Sequence, residues 1–178
     1  MDKKRVLVTG GTVFVSKRIA EHFRDKGYEV YVLNRNNHQQ PEGVKLIKAD
    51  RFNLEDKLRG YVFDIIIDVN AYTKRAIELL IDAVDNIKDY VLISSSAVYP
   101  ETNIQPFAEN QLVGRNSIWG DYGTNKIEAE KYLMDKVPNA YIIRPPYLCG
   151  AMNNVYRDAP LFFRKCRTGQ INNFHNDI

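Results

Sequence analysis

The sequence predicts an α/β protein in which a doubly wound parallel sheet carries helices on both faces. Short apolar runs alternate along the 178-residue chain with segments whose apolar residues recur at helical spacing. A glycine pair follows the first apolar run directly and leads into an amphipathic helix. Strands that alternate with helices imply right-handed crossovers, parallel strands and a sheet covered on both faces.

The individual elements follow from these patterns in chain order. Six strands are predicted, over 5–9, 28–34, 44–50, 63–69, 89–96 and 140–145. The continuous apolar stretch of the fourth strand suits burial on both faces of the sheet. Helices are predicted after the first strand, where Gly27 ends the helix, and then over 73–88 and 122–137, where Pro138 follows.

Composition and charge argue against several classes of function. Hydrophobic residues make up 44% of the chain and charged residues 26%, with a formal net charge of +3. Because no dense basic stripe is present, nucleic acid is not an expected partner. Cys149 and Cys166 have no metal-ligand spacing, so we expect no metal site and two free thiols. No apolar run approaches a membrane span and no signal peptide precedes the first strand, so a cytoplasmic location is expected.

The turn after the first strand has part of a phosphate-binding glycine pattern. Gly10 stands at the first position of G-x-x-G-x-x-G, where glycine permits a tight turn. Val13 and Ser16 occupy the second and third positions, where glycine would leave more room. The backbone N–H groups at the start of the helix remain able to bind an anion whatever the side chains are.

Asn34 and Arg35 end the second strand, where a protein specific for NAD usually has an acid that contacts the ribose hydroxyls. A guanidinium group can instead bind the 2′-phosphate of NADP. This position therefore favours NADP over NAD, and the alternative is that Arg35 is an ordinary exposed loop residue.

Tyr122 and Lys126 form a Y-x-x-x-K pattern on the last predicted helix, so both side chains lie on one face. A nearby ammonium group lowers the pKa of a phenol, which lets it exchange a proton with a substrate. The alternative is a solvated helix face. Ser95 lies near the end of the fifth strand, where a hydroxyl could position a reacting oxygen, or where it could satisfy backbone groups at the strand exit.

Four motifs in order, "TGGTVFV", "VLISSSAVY", "YGTNK" and "IIRPPYLCG", resemble the extended short-chain dehydrogenase/reductases. More narrowly, they are similar to the NAD-dependent epimerase/dehydratase family, which acts on nucleotide sugars. The resemblance covers about residues 5–150. It implies a Rossmann-type NAD(P)-binding domain with the catalytic residues over 1–150. Residues 151–178 would then be the start of a substrate-binding region that is largely missing.

The resemblance also implies a role for individual residues. Tyr122 would be the catalytic acid/base, Lys126 its partner and the holder of the nicotinamide ribose, and Ser95 the catalytic serine. The implied cofactor-binding residues are Gly10, Gly11, Thr12, Val13, Phe14 and Val15 at the pyrophosphate, Asn34 and Arg35 after the second strand, Asp50 at the adenine, Asn70 and Ala71 along the cofactor, and Pro145 and Tyr147 beside the nicotinamide.

The function implied is an NAD(P)-dependent epimerase or reductase acting on a nucleotide-sugar-like substrate. Dehydratases of this family commonly have Asp-Glu where this chain has Ser96 and Ala97, so an epimerase or a reductase is favoured. Family members often dimerise through two helices, which makes a homodimer a further expectation. The alternative is a non-catalytic dinucleotide-sensing or RNA-binding protein on the same fold. Atypical members that have lost family glycines, as at Val13 and Ser16, include plastid relatives described as RNA-binding.

Overall fold

A computed structural model describes residues 3–102, 106–148 and 150. Cys149, Cys166 and the expected start of a substrate-binding region over 151–178 lie outside these residues. Among the described helices, none is both long enough and apolar enough to cross a membrane.

Six parallel strands form one sheet in the order β3-β2-β1-β4-β5-β6, which confirms the predicted doubly wound parallel sheet. The strand order reverses between β1 and β4, so a crevice opens there at the carboxyl ends of the strands. The strands are β1 (Arg5–Thr9), β2 (Glu29–Asn34), β3 (Lys45–Lys48), β4 (Ile65–Asp68), β5 (Asp89–Ile93) and β6 (Tyr141–Ile143).

Helices cover both faces of the sheet, as the alternation of elements predicts. The helices are α1 (Phe14–Asp25), α2 (Lys74–Ala83) and α3 (Gly120–Lys136). Ala20 of α1 packs with Val6 and Val8 of β1 in one buried cluster. Leu7, between those two valines, packs on the other face in a second cluster with residues of α2 and α3. The alternation along β1 thus divides the core into two layers.

Most predicted ends lie within two residues of the observed ones, whereas two ends differ by three residues or more, and local hydrogen bonds explain both. The second helix ends at Ala83 rather than at residue 88, because Val84 is extended and Asp85 accepts hydrogen bonds from the Gly60 backbone and from Arg59. Strand β5 ends at Ile93 rather than at residue 96. The Ser95 hydroxyl instead caps a short 3₁₀ turn over Ser96–Val98 by accepting a hydrogen bond from the Ala97 backbone.

Candidate functional site

A single cleft of about 1070 Å³ lies at the carboxyl ends of the strands and brings most of the predicted site residues together. The predicted residues that line it are Gly10, Thr12, Val13, Phe14, Val15, Asn34, Arg35, Asp50, Asn70, Ser95, Tyr122, Lys126, Pro145 and Tyr147. The two other predicted residues, Gly11 and Ala71, are buried behind the cleft wall. Gly11 packs against β2, and the Ala71 carbonyl oxygen accepts a hydrogen bond from Lys126.

The turn after β1 requires glycine at two consecutive positions. Gly10 and Gly11 have φ values of 87° and 84°, a region that other residues rarely adopt. A Cβ atom on Gly11 would lie 2.4 Å from Cγ1 of Val32, so this glycine also allows the turn to pack against β2. Gly11 therefore supports the cleft through close packing, and its expected contact with a cofactor stays a prediction.

Val13 and Ser16 fit their positions without glycine. Val13 has an extended backbone with φ of −129°, which any residue adopts, so its conformation needs no glycine. The Ser16 hydroxyl is buried and donates a hydrogen bond of 2.9 Å to the Val13 carbonyl. A Cβ atom on Gly10 would lie only 3.1 Å from the Ser16 Oγ, so the absent side chain of Gly10 makes room for the serine.

The first turn of α1 leaves its backbone donors open toward the cleft. Val13 precedes the helix and gives it no side-chain cap, and the first turn contains no acidic residue. The N–H groups of a first helical turn lack partners within the helix, and the helix dipole makes them attractive to an anion. Phe14 has a φ of 39°, an unusual value for a bulky residue, so the backbone is strained at this turn.

The end of the cleft that lies away from α3 is lined by Asn34, Arg35 and Asp50. The Asn34 amide donates to the Gly10 carbonyl at 2.6 Å, so it braces the glycine turn against the end of β2. Arg35 is exposed on the cleft rim. The Asp50 carboxylate accepts a hydrogen bond from the Phe52 backbone, and both residues line the cleft.

Sequence reasoning missed a buried ion pair between Arg51 and Asp68. Two Arg51 nitrogens donate to the two Asp68 oxygens at 2.9 and 3.0 Å, and Thr9 and Tyr90 donate to the same carboxylate. Burial opposes ionisation of Asp68, but the Arg51 charge and these hydrogen bonds hold its pKa below the usual value. Arg51 also donates to the Asn70 side chain at 2.6 Å, so the network fixes a cleft residue. An acid within the apolar run "FDIIIDV" is the signal that could have found it.

At the opposite end of the cleft, Lys126 is held in a buried position on α3. Its ammonium group donates to the carbonyl oxygens of Ala71 at 2.8 Å and Ile93 at 3.0 Å. Burial lowers the pKa of Lys126 to about 8, against the opposing effect of Asp68 and Glu130. Ala71 thus contributes to the site through its carbonyl oxygen, which fixes the lysine.

Aromatic rings surround Tyr122 at the mouth of this end. The Tyr122 ring centroid lies 6.2 Å from that of Tyr72 and 6.1 Å from that of Trp119. The Trp119 ring in turn lies 6.2 Å from the ring of Tyr147. Tyr72, Tyr122 and Tyr147 are all exposed, so this part of the cleft wall presents aromatic faces and phenol groups.

Ser94 and Ser95 follow β5 directly, and their side chains have different roles in the structure. The Ser95 side chain lines the cleft and accepts from the Ala97 backbone, which leaves its own proton for another acceptor. The Ser94 hydroxyl is buried and donates to Glu130. Glu130 is also paired with Arg144 through three short N–O contacts, so this network ties α3 to the residue after β6.

Gly123 fixes α3 against the turn that carries Ser95. A Cβ atom on Gly123 would lie 2.4 Å from the Ala97 carbonyl oxygen, so only glycine allows the two segments to approach this closely. Ser95, Tyr122 and Lys126 line the same cleft. That arrangement suits proton exchange with a ligand oxygen held between the serine and the tyrosine.

Residues 6–76 match the NAD dependent epimerase/dehydratase family. The resemblance to this family is confirmed. The match extends from β1 through the glycine turn, α1, β2, β3 and β4 to the start of α2.

A curated relative and two solved structures illustrate the likeness. "Chloroplast stem-loop binding protein of 41 kDa b" from Arabidopsis thaliana is 25% identical over 169 residues, which are 85% of this chain and 44% of that protein. A UDP-glucose 4-epimerase structure has a TM-score of 0.77 and 18% identity, and covers 94% of this chain and 61% of its own.

The Bordetella bronchiseptica enzyme WbmH in complex with NAD⁺ has a TM-score of 0.72 and 17% identity, over 94% of this chain and 64% of its own. At such identities the structures show a shared fold. The chain spans about half the length of the curated relatives it matches.

Proposed function

We propose that this chain is the NAD(P)-binding and catalytic part, over 1–150, of an epimerase or reductase that acts on a nucleotide-sugar-like substrate. Residues 151–178 would begin its substrate-binding region. The observation that carries the proposal is that Ser95, Tyr122 and Lys126 line the same cleft as the glycine turn. A dinucleotide across the switch in strand order would extend from one group to the other.

The residues of the cleft fit such a cofactor along its whole length. The uncapped first turn of α1 offers N–H donors to the pyrophosphate. Asp50 would contact the adenine, and the exposed Arg35 would pair with a 2′-phosphate, which favours NADP. Lys126 would hold the nicotinamide ribose, with Pro145 and Tyr147 beside the nicotinamide. Once bound, that cofactor would accept a hydride from the substrate or give one to it.

Tyr122 would exchange the proton that accompanies this hydride transfer. A phenol has an ordinary pKa near 10, so it is a weak base at neutral pH. The positive charge of Lys126, one helical turn away on α3, would favour the phenolate form of Tyr122 and make it a better base. Ser95 would donate a hydrogen bond to the same substrate oxygen and hold it in place.

An epimerase or a reductase is favoured over a dehydratase within the family. Ser96 and Ala97 stand where dehydratases commonly have an Asp-Glu pair for elimination. Ser96 lines the cleft and Ala97 is buried. Neither side chain has a carboxylate, so this position lacks the acid pair.

The alternative is a non-catalytic dinucleotide sensor or an RNA-binding protein, and the name of the Arabidopsis relative refers to stem-loop binding. Among the described residues that line the cleft, the cations are Arg35, Arg51 and Lys126. The last two are engaged by protein groups, so the cleft offers little to a phosphate backbone. This arrangement supports the enzymatic proposal instead.

Tyr122→Phe tests the proposed role most directly. With NADP⁺ or NAD⁺ and a panel of UDP-sugars, the variant should lose at least about 100-fold in turnover because it cannot carry the proton. Binding of the reduced cofactor should change little, because the ring remains. Tyr141→Phe is the matched control, since Tyr141 is an exposed tyrosine on β6 that does not line the cleft. Turnover by Tyr122→Phe at the wild-type rate would contradict the proposal.

A further inference from the structure

The ammonium group of Lys126 lies over the ring of Tyr72, and both residues line the cleft. The lysine is only 1% exposed, and its Nζ atom lies 5.1 Å from the centroid of the Tyr72 ring. That separation is typical of an attraction between a cation and an aromatic face. A ligand that is to contact this nitrogen must therefore find a path past the ring.

The hydrogen bonds of Lys126 leave one donor for a ligand. An ammonium group has three N–H donors, and two of them are engaged by the carbonyl oxygens of Ala71 and Ile93. Those carbonyls belong to the backbone beyond β4 and at the end of β5, so the nitrogen itself has little freedom to move outward. The covering ring, rather than the lysine, is the part that can shift.

Tyr72 is well placed to move. Its side chain is 55% exposed, and the residue precedes Thr73, the N-cap of α2. Its ring touches the Tyr122 ring only at a tilt of 49°, with 6.2 Å between the centroids, so a rotation would break no close stack there.

We propose that Tyr72 is a movable cover over Lys126, which the ribose of a nicotinamide cofactor displaces when it binds. Tyr72 is then a positioning residue that controls access to the lysine, and this inference rests on the proposed function. The face of the ring does the covering, so Tyr72→Phe should keep the cover whereas Tyr72→Ala should remove it. The charged groups around the nitrogen, Asp68, Glu130 and Arg51, are unchanged in both variants.

The cover itself can be tested without any cofactor by labelling lysines with acetic anhydride and reading each site by mass spectrometry. Burial lowers the pKa of Lys126 to about 8, and removing the ring would reduce that burial, so the labelling rate is followed from pH 8 to pH 11 and compared at its plateau, where the amine is neutral in every variant. Tyr72→Ala should raise the labelling rate of Lys126 severalfold over wild type, while Tyr72→Phe and the outlying control Tyr141→Ala should not. An unchanged rate in Tyr72→Ala would overturn the cover.

The displacement step is tested by stopped-flow mixing with NADPH and with NADH. If the ring must leave before the ribose can bind, Tyr72→Ala should associate with the cofactor severalfold faster and bind it at least as tightly as wild type. Weaker binding with an unchanged association rate would show an ordinary contact and overturn the displacement. Faster labelling with no cofactor binding by any variant would leave the cover standing but overturn both the displacement and the proposed function.

Discussion

At the scale of single residues, Lys126 is a lysine whose charge is held in a largely dry environment. Burial lowers its pKa to about 8, although two carbonyl oxygens accept its hydrogen bonds. A lysine in an unfolded chain has a pKa of about 10.4. The folded state therefore disfavours the protonated lysine. Below pH 8 the lysine is protonated in both the folded and the unfolded chain, so the free energy of unfolding is lowered by a constant amount.

Between pH 8 and about 10.4 the folded chain releases the Lys126 proton while the unfolded chain keeps it, so this penalty is relieved as pH rises. Urea unfolding at pH 7.5, 9 and 10 should therefore show wild type gaining stability relative to Lys126→Met, by about 1–3 kcal/mol. The comparison cancels the titration of all other groups. A difference that stays constant across this range would contradict the buried, charged lysine.

Single residues also show where sequence reasoning stops. The pattern at Val13 and Ser16 indicates a weakened glycine motif, because spacing reports only which residue types are absent. The extended backbone of Val13 and the Ser16 hydrogen bond to its carbonyl make both residues compatible with the turn. The Val13 backbone conformation and a hydrogen bond over three residues are local structural features that the spacing of residue types does not contain.

At the scale of elements, the packing of α3 on the turn after β5 assembles the predicted catalytic residues. Gly123 of α3 faces the Ala97 carbonyl, and this contact sets the distance between the turn that carries Ser95 and the helix that carries Tyr122. A methyl group added at Gly123 would therefore push α3 away from the turn after β5.

Gly123→Ala should lower the free energy of unfolding by about 1–3 kcal/mol through overpacking, despite the better helix propensity of alanine. The reason is the 2.4 Å approach of the new Cβ atom to a backbone oxygen, which cannot move aside as a flexible side chain could.

Gly114→Ala is the matched control. Its Cβ atom would be in ordinary contact with Pro100 at 3.8 Å, so its stability should stay within about 0.5 kcal/mol of wild type. Chemical denaturation measures both variants, and equal stabilities would contradict the close packing of Gly123.

The order and type of the elements follow from sequence periodicity because most strands contain an apolar run between turn residues. The ends of the elements do not follow from periodicity. The second helix ends where Asp85 accepts a hydrogen bond from the distant Gly60 backbone, and β5 ends where Ser95 accepts one from the neighbouring Ala97 backbone. The sequence pattern predicts that β5 continues to residue 96, because that pattern does not contain the hydrogen bond by which Ser95 caps the following turn.

At the scale of the whole molecule, the cleft depends on contacts between segments far apart in the chain. Arg51 follows β3 and Asp68 ends β4, and Arg51 pairs with Asp68 and donates a hydrogen bond to the Asn70 side chain. The sequence predicts that strand ends meet at this edge but not which charges pair there. Cytoplasmic location and homodimer formation stay predictions at this scale.

The proposed binding of a nicotinamide dinucleotide in the cleft can be measured most directly through the fluorescence of Trp119. Trp119 is the single tryptophan of the chain and lies in the cleft wall near Tyr122, so a reduced nicotinamide should quench its emission by energy transfer. We predict saturable quenching by NADPH and by NADH. NADPH should bind a few-fold more tightly, because an exposed ion pair with Arg35 contributes up to about 1 kcal/mol. Unquenched Trp119 emission with both cofactors at millimolar concentration would contradict the account.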